Sequence, residues 1–243
     1  MYRIGITETG DPAFNLQIFD KLEIGNIIIT KFLTPQLIDK LREHKNKCIL
    51  HLTVTGMGGT IYEPYSPSSV ESKEMFDVLI KYGFPVNQVV LRIDPIIPTK
   101  DGIDIALNVI KVFKDSGIKR VRFSSLDMYE HVIERFKLQD MELPYSSFHA
   151  PDEMFHTLYK SLINVCYGYG IELEGCAENV GDSHNISCIS QKDIDILGLT
   201  DKVVLEGSAK QRKGCGCPSN KIQLIKGTPK RCPNQCVYCF WKN

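Results

Sequence analysis

The sequence has no excess of charge of either sign: Lys and Arg total 29, Asp and Glu total 29, and the formal net charge is +0. That balance gives no argument for a surface of high charge density built to hold a polyanion. No apolar run approaches the ~18 residues that a membrane-spanning helix needs. The opening Met1-Tyr2-Arg3-Ile4 has neither the basic region nor the apolar stretch of a secretory leader. Internal repeats and low-complexity segments are absent. No histidine shows metal-ligand spacing such as H-E-x-x-H, so the histidines are read as surface or packing residues. These absences predict a cytoplasmic globular protein with no membrane partner.

What the chain does have is cysteine, nine of them. In a protein of that compartment they point to metal rather than to disulfides. Cys232, Cys236 and Cys239 stand at spacing C-x3-C-x2-C in the tail. Thiolates are soft ligands, and three so close together do not all pack as small hydrophobes. Iron–sulfur clusters are usually held by four thiolates, so a three-cysteine loop leaves one iron open to a small molecule. The spacing, with Tyr238 just before the third cysteine, resembles the cluster motif of the radical S-adenosylmethionine (SAM) enzymes. The resemblance implies a four-iron four-sulfur cluster on Cys232, Cys236 and Cys239. It also implies chelation of SAM by the free iron, its reductive cleavage to a 5′-deoxyadenosyl radical, and Tyr238 near the adenine. That family usually carries the motif near the N-terminus; here it lies near the C-terminus. Structural zinc, disulfides or free thiols are the alternatives, and core packing is the alternative for Tyr238. Cys236 and Cys239 make one C-x2-C, but Cys215 and Cys217 make only C-x-C, tight for a zinc knuckle.

Four more cysteines, Cys176, Cys188, Cys215 and Cys217, would saturate a second cluster or a zinc ion. A fully ligated second cluster would be a structural centre or an electron relay, since it offers no open iron, and would pin the tail to the body of the protein. Cys48 and Cys166 fall within a strand and a helix and read as small core residues.

Strand patterns (3–8, 26–30, 48–55, 89–93, 120–123, 171–173 and 203–205) alternate with helical ones (13–22, 34–43, 69–82, 101–114, 128–136, 152–167 and 193–197). Thr34 and Asp101 are the expected N-caps, with Pro35 at a first helical position. Buried strands between helices imply a parallel sheet, and six or so such units fit an open or partial (β/α) barrel of the TIM-barrel kind. We expect residues 1–207 to form it and residues 208–243 to complete it as a cysteine-rich, cluster-binding segment. In such folds the site lies at the C-terminal ends of the strands. Residues found there include Thr30-Lys31, the glycine-rich run from Thr55 to Gly59, Arg92 to Pro95, Ser124-Ser125, Glu174 to Cys176 and Glu206 to Ser208. Lys31, Arg92 and Asp94 are candidate contacts to a carboxylate or phosphate. Gly56, Gly58 and Gly59 would let backbone approach the methionyl group of SAM, with Glu63 as the nearest acidic residue. The plainer reading is that glycine and Asp-Pro end strands and that the charges are solvated or paired.

The runs His51 to Gly56, Glu63-Pro64 and Leu91 to Ile97, and the tail elements Cys176-Ala177-Glu178, Cys188, Gln211-Arg212, Cys215-Gly216-Cys217, Ser219 and Cys232 to Cys239, resemble the bacterial and phage family DUF1848. That family is distantly similar to spore photoproduct lyase. The resemblance implies a radical SAM enzyme acting on a small molecule or nucleotide, with an electron donor as partner. It leaves nucleic acid open and singles out no catalytic residue. A non-catalytic binding module stabilised by zinc or an iron–sulfur cluster is the other function class. Because the cluster loop comes last, the barrel is expected to be circularly permuted. A tail strand over 222–225 would then lie beside the N-terminal strands and bring the three cysteines near Lys31 and Gly58. An appended tail packed outside the barrel is the alternative.

Overall fold

Short runs rich in Ile, Val and Leu, each followed by a crossover, assemble one open parallel sheet. The computed structural model describes residues 2–178, 185–209, 215–226 and 232–241. Its strands are β1 (Ile4–Ile6), β2 (Gly25–Thr30), β3 (Cys48–Thr53), β4 (Val89–Ile96), β5 (Arg120–Ser125), β6 (Glu172–Cys176), β7 (Asn185–Ile186) and β8 (Lys221–Gln223). They form an eight-stranded sheet in the order β7-β6-β5-β4-β3-β2-β1-β8. Every pairing is parallel. Parallel neighbours need crossovers. These carry the helices α1 (Pro35–Glu43), α2 (Ser69–Lys81), α3 (Lys100–Phe113), α4 (Glu130–Leu138), α5 (Asp152–Gly168) and α6 (Gln191–Ile196). β7 and β8 are the two edges, so the sheet is a partial (β/α) arrangement rather than a closed barrel.

The period-2 geometry of strands sorts residues between two faces. Ile28, Leu50, Leu91 and Val121 pack with Leu37, Phe76, Val109, Phe113 and Leu162 from the helices. Ile27, Ile49 and Val90 face the other way, with Ile194, Leu199 and Val203. That second face also carries a buried ionic cluster. Val121 and Phe123 face the helices, so Arg120 and Arg122 point away from them. Arg122 pairs in register with Glu174 of β6. Their side chains meet at 2.5 Å, while Arg120 reaches Glu174 at 2.8 Å and Asp193 of α6 at 2.7 Å. These four groups are buried. Burial on this scale is tolerable because the two cations face two carboxylates. His51 lies against Arg122, with 3.4 Å between Nε2 and Nη1. Burial and the charges of Arg122, Arg92 and Arg120 hold its pKa well below the usual histidine value.

Several elements depart from the sequence expectation. The helix expected over 13–22 is two 3₁₀ turns, Pro12–Phe14 and Leu16–Lys21. Asp11 caps the first, and Asn15 at φ −140° interrupts the spiral. Thr34 caps α1 as expected, accepting from Leu37 N, with Pro35 following. Asp101 does not cap α3: Thr99 does, accepting from Gly102 N, and Asp101 sits in the first turn. β4 continues through Asp94-Pro95 to Ile96, with a register shift against β5 absorbing the break. Residues 203–205 form no strand. The tail strand forms over Lys221–Gln223 and pairs with β1. Among the described residues no helix is long and apolar enough to cross a membrane.

Two measurements check the ionic cluster. Glu174→Gln leaves two buried guanidinium groups facing one remaining carboxylate, and urea unfolding should show a loss of about 3–5 kcal/mol. His51 is neutral in the fold, whereas in the unfolded chain it titrates near ~6.5. Its contribution is therefore present above that pH and is lost as pH falls, because the unfolded chain then binds the extra proton. The urea midpoint should drop between pH 7.5 and 5.5, and His51→Gln should flatten that drop.

Candidate functional site

All eight strands run parallel, so their C-terminal ends share one edge of the sheet. A cavity of about 470 Å³ lies along that edge. The strand ends contribute Lys31, Arg92, Asp94, Ser124 and Cys176, and the loop after β1 adds Glu8 and Asp11. Asp127 and Tyr129 come from the loop after β5. The tail contributes Cys232, Cys236, Tyr238, Cys239 and Trp241, while Cys188, Cys215 and Cys217 form another stretch of the wall. Both cysteine sets therefore face one space.

The tail is held there by specific contacts. Cys239 N donates to Cys236 O at 3.1 Å and Gln235 N to Cys232 O at 3.3 Å, so tight turns present the thiols. Val237 N donates to Tyr62 O at 3.0 Å. Val237, Tyr238 and Cys236 pack with Met57, Leu126, Met128 and Phe136. Lys31 Nζ donates to Tyr238 Oη at 3.0 Å and to Glu63 Oε1 at 2.9 Å. It also lies 5.6 Å from the Tyr238 ring centroid, a cation–π contact. Thr55 Oγ1 donates to the same Glu63 oxygen at 2.5 Å. From α4, Arg135 donates to the Cys239 carbonyl at 2.5 Å and to the Trp241 carbonyl at 2.6 Å.

Electrostatics here are paired. Burial opposes the Lys31 charge, but Glu63, the Cys236 sulfur and Asp94 outweigh it, and its pKa rises. Burial likewise opposes the Arg92 charge, and Asp94, Cys188 and Cys176 more than offset it. Arg92 Nε donates to Asp94 at 2.8 Å, and a second, shorter bond runs from its terminal nitrogen. Burial raises the Asp11 pKa against the hydrogen bonds from Thr30 and Lys31 N. Burial also pushes the Cys236 thiol up to about 12, although Lys31 beside it pulls the other way. The Cys48 and Cys166 thiols are pushed up to about 12 by burial. Both belong to the helix-side core, as expected of inert cysteines.

The second cysteine set converges as well. Cys176 and Cys188 have their sulfurs 3.6 Å apart, and Cys188 N donates to Cys217 Sγ at 3.3 Å. Cys188, Cys217 and Glu8 offer ligand atoms that all lie within 4.8 Å of one another. Glu8 is held by Lys221 Nζ at 2.7 and 2.8 Å and by Gln223 Nε2 at 2.8 Å, all from β8.

The strand-end reading thus brings Lys31, Arg92, Asp94, Tyr238 and both cysteine sets to one cavity. It does not bring the glycines there. A Cβ on Gly56, at φ +83°, would stand 2.4 Å from the Ile105 side chain, and one on Gly58 would stand 1.9 Å from Pro67 O. These two glycines permit close packing of α3 and the 63–67 turn, while Gly59 turns the chain at φ +74° toward open space. Glu63 is buried behind Lys31 rather than in the cavity wall. Glu174, a strand-end residue, belongs to the ionic cluster. Sequence reasoning missed Glu8, Asp11 and Arg135. The strand-end rule would have found Glu8 and Asp11 had it been applied to β1; Arg135 stands in α4 with no local signal.

A family model described as Domain of unknown function (DUF1848) matches residues 25–241. The chain belongs to this family. No curated protein and no solved structure matches it. The DUF1848 match takes in every cysteine and the strands from β2 through β8, apart from the first residues of the chain that carry β1, Glu8 and Asp11.

The single tryptophan, Trp241, reports on tail docking. Arg135→Ala removes two charge-assisted hydrogen bonds to the tail backbone. It should red-shift Trp241 emission and speed proteolysis of the tail severalfold, with far-UV circular dichroism unchanged. Unaltered emission would show that Arg135 does not hold the tail.

Proposed function

We propose that this protein is a radical SAM enzyme whose cluster site is Cys232, Cys236 and Cys239. The observation that carries this reading is that the tail's three thiols line a cavity at the C-terminal edge of a parallel sheet. The donor set fits the group: three soft ligands on a tightly turned loop, with Lys31 and Arg135 beside it to balance anionic charge. A four-iron four-sulfur cluster there supplies an iron open to the amino and carboxylate groups of SAM and the electron for its cleavage.

The chain's own residues do the rest. Lys31, fixed by Glu63, holds the Tyr238 hydroxyl and so sets the position of the residue before Cys239. Arg92 and Asp94 orient each other at the ends of the central strands, where a polar ligand would meet them. Tyr129 and Trp241 offer aromatic faces at the wall. The volume falls in the range of about 300–1,000 Å³ usual for small-molecule sites. It suits SAM beside a small or nucleotide-sized substrate, with an external electron donor. The balanced charge does not favour a nucleic-acid groove.

In this reading the barrel is circularly permuted: the strand that precedes the cluster loop is β8, the last in the chain, and its neighbour is β1, the first. Adjacent termini make such an order physically tolerable. The polar and aromatic side chains that share the cavity with the tail, Arg92, Asp94 and Tyr129 among them, favour an enzyme over a purely structural metal site.

The test is reductive SAM cleavage by the anaerobically purified protein. Wild type should release 5′-deoxyadenosine, and Cys236→Ala should fall at least ~100-fold while staying soluble, since one ligand is lost from the open site alone. Equal rates for the two proteins would overturn the assignment.

A further inference from the structure

We propose that the second cysteine set is a mononuclear zinc(II) site in which Glu8 is an oxygen ligand beside Cys176, Cys188 and Cys217, rather than a second four-iron four-sulfur cluster. The spacing decides between the two. With Zn–S near ~2.3 Å, two thiolates on one tetrahedral ion stand about 3.8 Å apart. Cys176 and Cys188 stand 3.6 Å apart. The ligand atoms of Glu8, Cys188 and Cys217 all lie within 4.8 Å of one another. In a four-iron cluster each thiolate binds a different iron, so the metal-to-metal spacing is added to the sulfur-to-sulfur separation, and sulfurs this close do not fit around it.

The donors fit zinc too. Thiolate with one carboxylate is a normal zinc set, and the fourth oxygen donor needs an outer partner to fix it. Lys221 supplies that partner, bonding both Glu8 oxygens at 2.7 and 2.8 Å. Three thiolates and a carboxylate on one divalent ion leave the site anionic. Lys221 faces it on one side, and Arg122, which donates to the Cys188 carbonyl at 3.2 Å, faces it on another. Cys215, half-buried where the other three cysteines are buried, lies against Cys217, outside the group of ligand atoms that Glu8, Cys188 and Cys217 form. The ligands come from the loop after β1, the end of β6, the segment after β7 and the stretch before β8. One ion therefore cross-links both edges of the open sheet and closes the cavity wall that β7 and β8 leave unpaired.

This inference does not depend on a cluster at the tail, and metal counts separate the two. Protein produced with iron and zinc and purified anaerobically should carry about one zinc per chain. Glu8→Gln should surrender that zinc to a competing chelator at about tenfold lower chelator concentration, with iron content and circular dichroism unchanged. Cys215→Ser should keep it. X-ray absorption at the zinc edge of the wild-type protein gives a reading that no variant can confound: three sulfurs near ~2.3 Å and one oxygen near ~2.0 Å. A second cluster's worth of iron with no zinc, a four-sulfur zinc shell, or full zinc retention in Glu8→Gln would overturn the proposal. Loss of SAM cleavage with zinc intact would count against the tail cluster alone.

Discussion

The parallel pairing of β8 on β1 is the contact on which the site depends. Ile4, Gly5 and Ile6 match Lys221, Ile222 and Gln223 in register, and Leu224 N extends the ladder to Ile6 O at 2.9 Å. Because the pairing is parallel, the chain leaves β8 at the same edge where every other strand ends. An antiparallel tail strand would have delivered the three cysteines to the opposite edge, away from Lys31 and Arg92. The join is tight: a Cβ on Gly5 would stand 2.3 Å from Asn26 Oδ1 and 3.0 Å from Leu224. Lys221 and Glu8, both largely buried, close it with an ion pair.

Neutrality holds inside the molecule as well as over the whole chain. Lys31 has Glu63, Arg92 has Asp94, and Arg120 and Arg122 have Glu174 and Asp193. Buried single charges would be costly, and pairing each with its opposite lets the inner face of the sheet be polar without a net field. The cavity wall is consequently made of groups held in place by their partners, a precondition for accurate positioning of a ligand. The thiols of the tail lie beside two cations, Lys31 and Arg135, that stand ready to balance the charge deprotonation creates.

The sequence by itself determined what depends on near neighbours. Short apolar runs between helical patterns marked most of the strands, Thr34-Pro35 set the start of α1, and the crossovers between strands forced a parallel sheet. C-x3-C-x2-C marked a soft-ligand loop because its ligands are close in the chain. Tertiary structure alone decided which distant segments meet. It brought Glu8 to Cys188 and Cys217 across about 180–210 residues, set Arg135 of α4 on the tail backbone, and gave Gly56 and Gly58 a packing role by placing Ile105 and Pro67 against them. Local patterns are read from covalent spacing; a ligand set drawn from four separate segments exists only after the sheet has ordered them.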